Sequence, residues 1–381
     1  MSNLNFLDKF LDGIGVEWRT LGDIATLRRG RVMSKSYLVE KSGDYPVYSS
    51  QTINNGMIGK IDTFDYNGTF ISWTTDGANA GTVFYRTGKF SITNVCGLIK
   101  INDESILDYK YLFYWLTIEA QSHVYSGMGN PKLMSHQVEK IPVPIPCPDN
   151  PKKSLEIQSE IVRILDTFTD MIAELTIELI LRKKQYSHYR DQLLNYDEGE
   201  VKLKTLGEIA EINTGTKPTE ILFDVTEFDY INAGTTRSGY TIDSNCEGDT
   251  VTTPSRGQGG IGFLGYQKEP FWLGPLCYKI RTVDEEVLIN KYLFYFLQSR
   301  NDLLLSLKKV GGVPAVNKSD LEKLKIPLPS IEKQKKIVAI LDKFDAIINS
   351  VDGLPCEIDM RQKQFEYYRA LLLNFPKKEA V

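Results

Sequence analysis

The chain is poor in the residues that build metal and redox sites. It has 3 histidines and 5 cysteines among 381 residues, and no two cysteines form a C-x-x-C pair. Zinc sites and disulfide frameworks need such residues at close spacing, so the sequence predicts free thiols in a reducing compartment. The histidines also lack partners at the spacing of a metal site or a catalytic triad. We therefore expect no metal and no other cofactor.

Long apolar runs and an excess of one charge are missing as well. No run reaches 18 apolar residues, and the opening MSNLNFLDKFLDG lacks a basic-then-apolar leader, so we expect a cytoplasmic protein without a membrane partner. The 45 basic and 49 acidic side chains give a net charge of −4. This balance argues mildly against a free-standing nucleic-acid binder, and a polyanion would have to be met by local patches or with help from a partner.

The most informative feature is an internal repeat. Motifs of the first half return in the same order at offsets of 176 to 185 residues, too long for a solenoid. The sequence therefore predicts a duplicated half-molecule with a pseudo-twofold axis. The recurring pairs are TLGDIA at 20–25 and TLGEIA at 205–210, KYLFYWL at 110–116 and KYLFYFL at 291–297, IPVP at 141–144 and IPLP at 326–329, and IVRILDTF at 161–168 and IVAILDKF at 337–344.

The segments between these motifs do not repeat. Residues 26–109 and 211–290 share almost nothing, although both are punctuated by Gly, Asn, Thr and Ser. Short strands are predicted at GTFISW, GTVFYR and KFSITNV in the first, and at GDTVTT, IGFLGY and LCYKI in the second, each set followed by a helix from KYLFY. The repeated motifs thus form one frame that occurs twice, and each copy encloses a different segment.

Each copy ends in a long helical pattern. In residues 155–195, apolar side chains recur alternately every four and three positions, which predicts a helix with a coiled-coil seam. The second copy has the same seam, but three extra residues intervene around Gly353, Leu354 and Pro355. We expect the second helix to kink or break there.

These features resemble the specificity subunit of type I restriction-modification systems. The resemblance covers essentially the whole chain and is most specific in the opening FLDKFLDG, the paired T-L-G-[DE]-I motifs and the two helices that end in R-x-K-Q-x-x-x-Y-R-x-x-L-L. It implies two target recognition domains that each read half of a split double-stranded DNA site and are held apart by antiparallel helices. It also implies assembly with two modification (methyltransferase) subunits and with restriction (nuclease) subunits.

The expected fold is α+β, with two mixed α/β target recognition domains separated by two long antiparallel coiled-coil helices. The expected domains are residues 1–150 for the first recognition domain, 151–199 for the central spacer helix, 200–330 for the second recognition domain and 331–381 for a C-terminal helix kinked near Gly353–Pro355.

One motif suggests a different chemistry. Residues 257–262 spell G-x-G-x-x-G, which in dinucleotide-binding proteins follows a strand and opens a helix. Here Pro254 precedes the glycines, and FLGY at 263–266 and Pro270 follow them, which predicts a hairpin. A methyltransferase would need Asn or Asp followed by Pro-Pro and an aromatic residue, and the nearest runs, at 130–132 and 150–152, lack this pattern. We find no catalytic site in the sequence.

The candidate DNA contacts are Arg, Lys, Asn, Gln, Ser and Thr side chains in the dissimilar segments, because these types bind base edges and phosphates. Any one of them can equally be an ordinary solvated loop residue. In the first domain they are Arg28, Arg29, Arg31, Gln51, Thr52, Asn54, Asn55, Thr75, Asn79 and Lys132. In the second they are Lys217, Thr236, Arg237, Ser255, Arg256, Gln258, Lys308 and Lys309.

Three functional hypotheses follow. The first is a non-enzymatic adapter that reads DNA for a catalytic partner. The second is a stand-alone DNA methyltransferase or nuclease, and the third is a scaffold that joins other subunits without contacting DNA. A sequence preference in the presence of the modification subunits separates the first from the third, and activity of the purified chain alone identifies the second.

Overall fold

The computed structural model describes residues 15–376 except 128, 198, 258, 310–312 and 351, so the motif FLDKFLDG lies outside the described residues. Contacts divide the chain into two compact units. The first comprises Met1–Glu174 with Asp359–Val381, and the second is Leu175–Ile358. Both contain helices and strands, as the predicted α+β class requires.

The first unit is built on a six-stranded sheet of order β2-β7-β5-β6-β3-β4 and a two-stranded sheet β1-β8. Only β3 and β6 pair in parallel among these strands. Its strands are β1 (Val16–Thr20), β2 (Ala25–Arg29), β3 (Ser42–Tyr48), β4 (Met57–Ile61), β5 (Tyr66–Thr74), β6 (Val83–Ile92), β7 (Cys96–Ile101) and β8 (Pro142–Pro146). Its helices are α1 (Leu21–Ile24), α2 (Lys35–Glu40), α3 (Tyr109–Glu119), α4 (Ser135–Val138) and the start of α5 (Pro151–Leu194), with 3-10 segments at Ile53–Gly56 and Ala120–His123.

The second unit has sheets of order β10-β16-β13-β14, β12-β11-β15 and β17-β9. Each unit thus has a two-stranded sheet of its own, β1-β8 in the first and β17-β9 in the second. The units differ in the sheets that the dissimilar segments form. The strands are β9 (Lys202–Thr205), β10 (Ala210–Thr214), β11 (Phe228–Ile231), β12 (Gly239–Thr241), β13 (Thr250–Pro254), β14 (Gly265–Gln267), β15 (Trp272–Leu273), β16 (Cys277–Thr282) and β17 (Lys325–Leu328). The helices are α6 (Leu206–Ile209), α7 (Asn290–Ser299), α8 (Asn301–Ser306), α9 (Lys318–Leu321), α10 (Ile331–Asn349) and α11 (Leu354–Leu372), which continues into the first unit.

Two strand predictions need correction. The predicted strands GTVFYR and KFSITNV belong to one strand, β6 (Val83–Ile92), because Gly88, with φ of 81°, is accommodated within the strand and does not end it. IGFLGY is a strand only from Gly265 onward, because the residues before it form a turn in which Gly262 has φ of 92°.

The two-stranded sheets and the KYLFY helices form the same frame in both units. Tyr111 on α3 donates its hydroxyl to the carbonyl of Pro144 at 2.8 Å, and Tyr292 on α7 donates to the carbonyl of Pro327 at 3.1 Å. Both tyrosines are fully buried. Among the described residues, strands β8 and β17 each pair with one neighbour, which suits their prolines because proline has no N–H group for a second ladder.

The long central helix is present as α5. It has 44 residues and covers Pro151–Leu194, where the sequence predicts a helix over 155–195. It begins at Pro151, a position that suits proline, and the Asn150 side chain accepts from the Lys153 N–H at 3.1 Å. The second long segment consists of two helices, α10 and α11, of which the first ends at Asn349 and the second begins at Leu354. A Cβ on Gly353 would lie 2.6 Å from the Ile347 carbonyl oxygen, so the interruption requires glycine. Within the described part of the chain, no helix combines the length and apolar composition needed to span a membrane.

A buried glutamine anchors each long helix to the frame. Gln158 accepts from the Asp108 N–H at 2.8 Å and donates to the Ile106 carbonyl at 2.9 Å. Gln334 accepts from the Ile289 N–H at 3.0 Å and donates to the Val287 carbonyl at 2.9 Å. Both side chains are 0% exposed. Each glutamine therefore satisfies backbone groups just before the KYLFY helix of its unit.

We expect Gln158→Leu to lower the free energy of unfolding of the first unit by about 2–4 kcal/mol, because it leaves a buried N–H and a buried carbonyl without partners. Gln334→Leu should do the same in the second unit. Chemical denaturation of the purified chain measures the loss. Gln362→Leu, at an exposed position of α11, is the control and should change stability by less than about 0.5 kcal/mol. An equal effect of the exposed and buried substitutions would contradict this assignment.

Candidate nucleic-acid interface

In the first unit, loops from distant parts of the sequence meet around the turn between β6 and β7. Arg29 Nη2 donates to the Asn94 carbonyl at 2.6 Å and to Thr75 Oγ1 at 3.2 Å. The hydroxyls of Thr93 and Ser49 lie 2.9 Å apart. We call residues 28–31, 49–56, 75–79, 93–95 and 125–134 the first loop cluster, apart from the undescribed residue 128.

The loop at 125–134 joins this cluster through backbone hydrogen bonds. The Leu133 N–H donates to the Thr75 carbonyl at 2.9 Å, and the Gly77 N–H donates to the Pro131 carbonyl at 3.0 Å. Lys132 is exposed beside them. The cluster therefore contains every DNA-contact candidate of the first domain.

The candidates of the first cluster differ in what their side chains do. Gln51 Nε2 donates to the Met57 carbonyl at 2.6 Å, and Asn79 Nδ2 lies 3.4 Å from the Ser50 carbonyl. Thr75 is buried and bonds to Arg29 and Asp76. These side chains hold the loops in place. The exposed members are Arg28, Arg31, Thr52, Asn54, Asn55 and Lys132.

Asn54 and Asn55 form a tight turn with φ of 53° at both residues, a conformation that Asn tolerates better than most residues. Buried Arg86 fixes this turn by donating from Nη1 to the Asn55 carbonyl at 2.8 Å. The Arg86 guanidinium also lies 3.6 Å from the Tyr48 ring centre. Burial lowers the pKa of Arg86 to about 10, so it stays protonated at neutral pH. The turn is therefore presented to solvent in one fixed conformation.

Arg86 is not among the predicted DNA contacts, but from the protein interior it holds the turn that carries two of them, Asn54 and Asn55. It is 2% exposed and belongs to β6, where its Nε also donates to Ser72 Oγ at 3.0 Å. The signal in the sequence is an arginine within a strand of mainly apolar and small residues. An arginine buried at such a position usually makes several hydrogen bonds, because a buried charge needs partners.

In the second unit, backbone bonds bring Ser255 and Arg256 beside the lysine pair. The Val316 N–H donates to the Ser255 carbonyl at 2.9 Å, and the Lys309 N–H donates to the Ala315 carbonyl at 2.9 Å. Arg256 and Ala315 form an antiparallel bridge. Ser255 is buried, whereas Arg256, Lys308 and Lys309 are exposed.

A depression of about 470 Å³ lies next to these loops and is lined partly by Thr235, Thr236 and Arg237. A Cβ on Gly260 would lie 2.2 Å from the Ala233 carbonyl oxygen, so the loop at 232–237 packs directly against the β13–β14 loop. We call residues 232–237, 255–265 and 308–316 the second loop cluster, without the undescribed positions 258 and 310–312. Gln258 thus lies outside the described residues.

Lys217 is exposed and lies beside β15, because the Thr216 N–H donates to the Leu273 carbonyl at 3.0 Å and Trp272 Nε1 donates to the Thr216 carbonyl at 2.8 Å. Lys309 pairs with Asp320, with Nζ and Oδ2 2.9 Å apart. The hydrogen bond from Lys309 lowers the pKa of Asp320. Part of the positive charge of the second cluster is thus compensated within the chain.

The G-x-G-x-x-G motif connects two antiparallel strands, β13 and β14, with Thr252 opposite Gly265. This confirms the predicted hairpin. The described residues after the motif lead into strand β14 and not into a helix whose amino terminus would hold a pyrophosphate. Among the described residues, no three His, Cys, Asp or Glu side chains are grouped as a metal site requires.

Comparisons with known proteins agree with this architecture. The model of the type I restriction modification DNA specificity domain matches residues 14–181 and 198–360. The specificity subunit of the type I restriction enzyme EcoR124I/EcoR124II from Escherichia coli is 37% identical over 419 aligned positions, covering 100% of both chains. A putative type I specificity subunit from Mycoplasma pneumoniae is 32% identical and covers 94% of this chain and 98% of its own.

Among solved structures, the S subunit of a type I restriction-modification system from M. genitalium has the same fold, with a TM-score of 0.72 at 20% identity. That likeness covers 96% of this chain and 98% of the other. Two matched specificity domains and full-length relatives above 30% identity establish the family. The chain belongs to the type I restriction-modification DNA specificity family, whose members are non-catalytic DNA-recognition components.

Proposed function

We propose that this chain reads a bipartite double-stranded DNA site, one half through each loop cluster, and docks two modification subunits and the restriction subunits of its system. The observation that carries the proposal is that two dissimilar loop clusters are built on two copies of one frame. A shared frame with dissimilar contents suits a protein that makes the same assembly contacts twice but reads two different sequences. Its DNA substrate implies action in the cytoplasm.

We further propose that the long helices pair as an antiparallel coiled coil about a pseudo-twofold axis. In the first unit, Phe168 on α5 stacks on Tyr368 of α11 at 5.2 Å. In the second, Phe344 on α10 stacks on Tyr189 of α5 at 5.7 Å. Phe168 and Phe344 are repeat equivalents, as are Tyr189 and Tyr368. Reciprocal pairs of this kind are what a twofold repeat predicts, and they support the proposal.

The proposed recognition domains are residues 1–150 and 200–330, with 151–199 and 331–381 as helical spacers. The spacers complete both cores. Leu372 and Leu373 are buried in the core of the first unit, and Leu194 is buried in that of the second. We therefore expect a recognition domain cut out without its helical segments to fold poorly.

The methyl transfer itself is assigned to the modification subunits. A base in a duplex must leave the stack before its reactive atom is accessible, and the modification subunit carries out this step. The present chain provides specificity by positioning that subunit over the target base. The chain supplies hydrogen-bonding side chains on loops and needs no cofactor of its own for this role.

A selection on random duplexes tests the proposal. The chain purified with its modification subunits should enrich two short sequences separated by unread positions. Enrichment of no sequence would favour the DNA-independent scaffold, and methyl transfer or cleavage by the chain alone, with cofactor added, would favour the enzyme.

Substitutions in the two clusters should act on separate halves of the site. Arg256→Ala should lower base discrimination in one half-site, and Asn54→Asp should lower it in the other. Aspartate tolerates the turn but lacks the amide donor. A lost base contact should cost about 1–3 kcal/mol of discrimination. The same selection measures both. If either substitution weakened both halves equally, it would mark a phosphate contact or misfolding instead.

A further inference from the structure

Arg31 in the first loop cluster is held by an acid and a tyrosine. Its Nε lies 3.0 Å from Asp65 Oδ2, and its Nη2 donates to Tyr37 Oη at 3.2 Å. The guanidinium carbon lies 5.1 Å from the centre of the Tyr37 ring. The Asp65 N–H is in turn fixed by Ser91 Oγ at 3.1 Å. The Arg31 side chain remains 43% exposed.

Arg237 in the second loop cluster has the same surroundings. Its Nη1 donates to Asp229 Oδ1 at 2.8 Å and to Tyr240 Oη at 2.9 Å. The guanidinium carbon again lies 5.1 Å from the tyrosine ring centre. Asp229 and Tyr240 are opposite each other on the antiparallel strands β11 and β12. The Arg237 side chain is 51% exposed and lines the 470 Å³ depression.

The internal repeat does not explain this likeness. Arg31 follows strand β2, whereas Arg237 precedes β12, and the two arginines lie in the segments that share almost no sequence. Asp65 precedes a strand, whereas Asp229 lies within one. The same arrangement has therefore been built twice from different elements, which suggests a shared task.

We propose that Arg31 and Arg237 each read a guanine in their own half-site, with Asp65, Tyr37, Asp229 and Tyr240 as positioning residues. This inference rests on the proposed function. Guanine presents O6 and N7 in the major groove, and a guanidinium with two parallel N–H groups binds both. Arg237 keeps Nε and Nη2 without an acceptor among the described residues. Arg31 keeps Nη1 and the second N–H of Nη2, so each guanidinium retains two adjacent N–H donors.

The paired carboxylates favour a base edge over a phosphate. An aspartate 2.8–3.0 Å from the guanidinium offsets its charge and repels a phosphate, so it weakens a backbone contact. It also restricts the rotation of the guanidinium, which favours a directional bond to a base. A phosphate contact needs charge, whereas a base contact needs orientation.

The test is a selection from random duplexes by the complex of the chain with its modification subunits. Arg237→Ala should lower the preference for one G·C pair by about tenfold to a hundredfold and leave the other half-site unchanged. Arg237→Lys should lose nearly as much, because lysine keeps the charge but not the fork. Arg31→Ala and Arg31→Lys should act in the same way on the other half.

The positioning residues need a readout that misfolding would not give. Asp229→Asn and Tyr240→Phe should lower discrimination at the same G·C pair as Arg237→Ala, while affinity for unrelated DNA stays unchanged or rises. Arg281→Ala, which breaks the surface pair with Glu247 in the same unit, is the matched control and should change no position.

The outcomes separate the inference from the function. A wild-type complex that selects no sequence refutes the proposed function. If the wild-type complex selects a bipartite site, the function stands and the variants test the inference alone. The inference is refuted if the arginine variants keep every base preference, if Arg→Lys retains discrimination, or if Asp229→Asn weakens binding to all sequences equally.

Discussion

Inserting one further Thr-Ile-Glu-Leu unit after Leu179 is expected to change the number of unread base pairs between the half-sites and to leave both half-site sequences intact. Helix α5 already contains the near-repeat Ile172–Leu175 and Thr176–Leu179. Four helical residues add about 6 Å and rotate the following chain by about 40°. This corresponds to one or two base-pair steps of about 3.4 Å.

The expectation rests on α5 acting as a spacer between the readers. Its 44 residues span about 66 Å, longer than the ~34 Å of one turn of DNA. Sequencing of methylated sites in cells that carry the insertion and the modification subunits measures the spacer. Glu178→Gln changes the same stretch without changing its length and should leave the spacer unaltered. An unchanged spacer in the insertion variant, or altered half-sites, would show that this helix does not set the separation.

The isolated chain is expected to bind its own DNA site at least about a hundredfold more weakly than the complex with modification subunits, because binding to DNA depends on uncompensated positive charge. The net charge is −4. Cations of both loop clusters are also paired within the chain: Arg31 with Asp65 at 3.0 Å, Arg237 with Asp229 at 2.8 Å and Lys309 with Asp320 at 2.9 Å.

Fluorescence anisotropy with a duplex that contains the selected site measures both affinities at about 0.15 M salt, where exposed charges are screened beyond about 8 Å. A scrambled duplex is the control. The complex should also lose affinity more steeply with salt, because its partners contribute more phosphate contacts. Tight, specific binding by the isolated chain at this salt concentration would contradict the expectation.

The helical frame is predictable because its signals are local and occur twice. The spacing of apolar residues in α5 and the recurrence of KYLFY depend only on sequence. Strand β3 escapes prediction because Gly43 and Pro46 break its alternation and two register shifts interrupt its pairing with β4. Gln158 and Gln334 occupy equivalent positions in the repeat, yet only their backbone partners reveal what they do.

The loop residues are harder to assign, because their roles depend on contacts across the fold. Asn79 bonds to the carbonyl of Ser50, 29 positions earlier in the chain, and Arg86 bonds to that of Asn55. Residue type alone does not distinguish the Asn79 amide from that of exposed Asn54. Only the packing of the loops shows that the first maintains a conformation and the second is available to a ligand.

The bonds between the frame and the dissimilar segments have an evolutionary consequence. Gln158 bonds to backbone atoms of Ile106 and Asp108, and Gln334 bonds to those of Val287 and Ile289. Every residue carries a backbone carbonyl, and every residue except proline carries an N–H, so these anchors place few demands on the sequence they hold. Recombination between two genes at the T-L-G and KYLFY motifs would therefore deliver a foreign segment to a frame that can anchor its backbone. Such a segment would bring its own core residues, as Ile71, Trp73 and Ile99 do here, so new specificities can arise by exchange of whole segments.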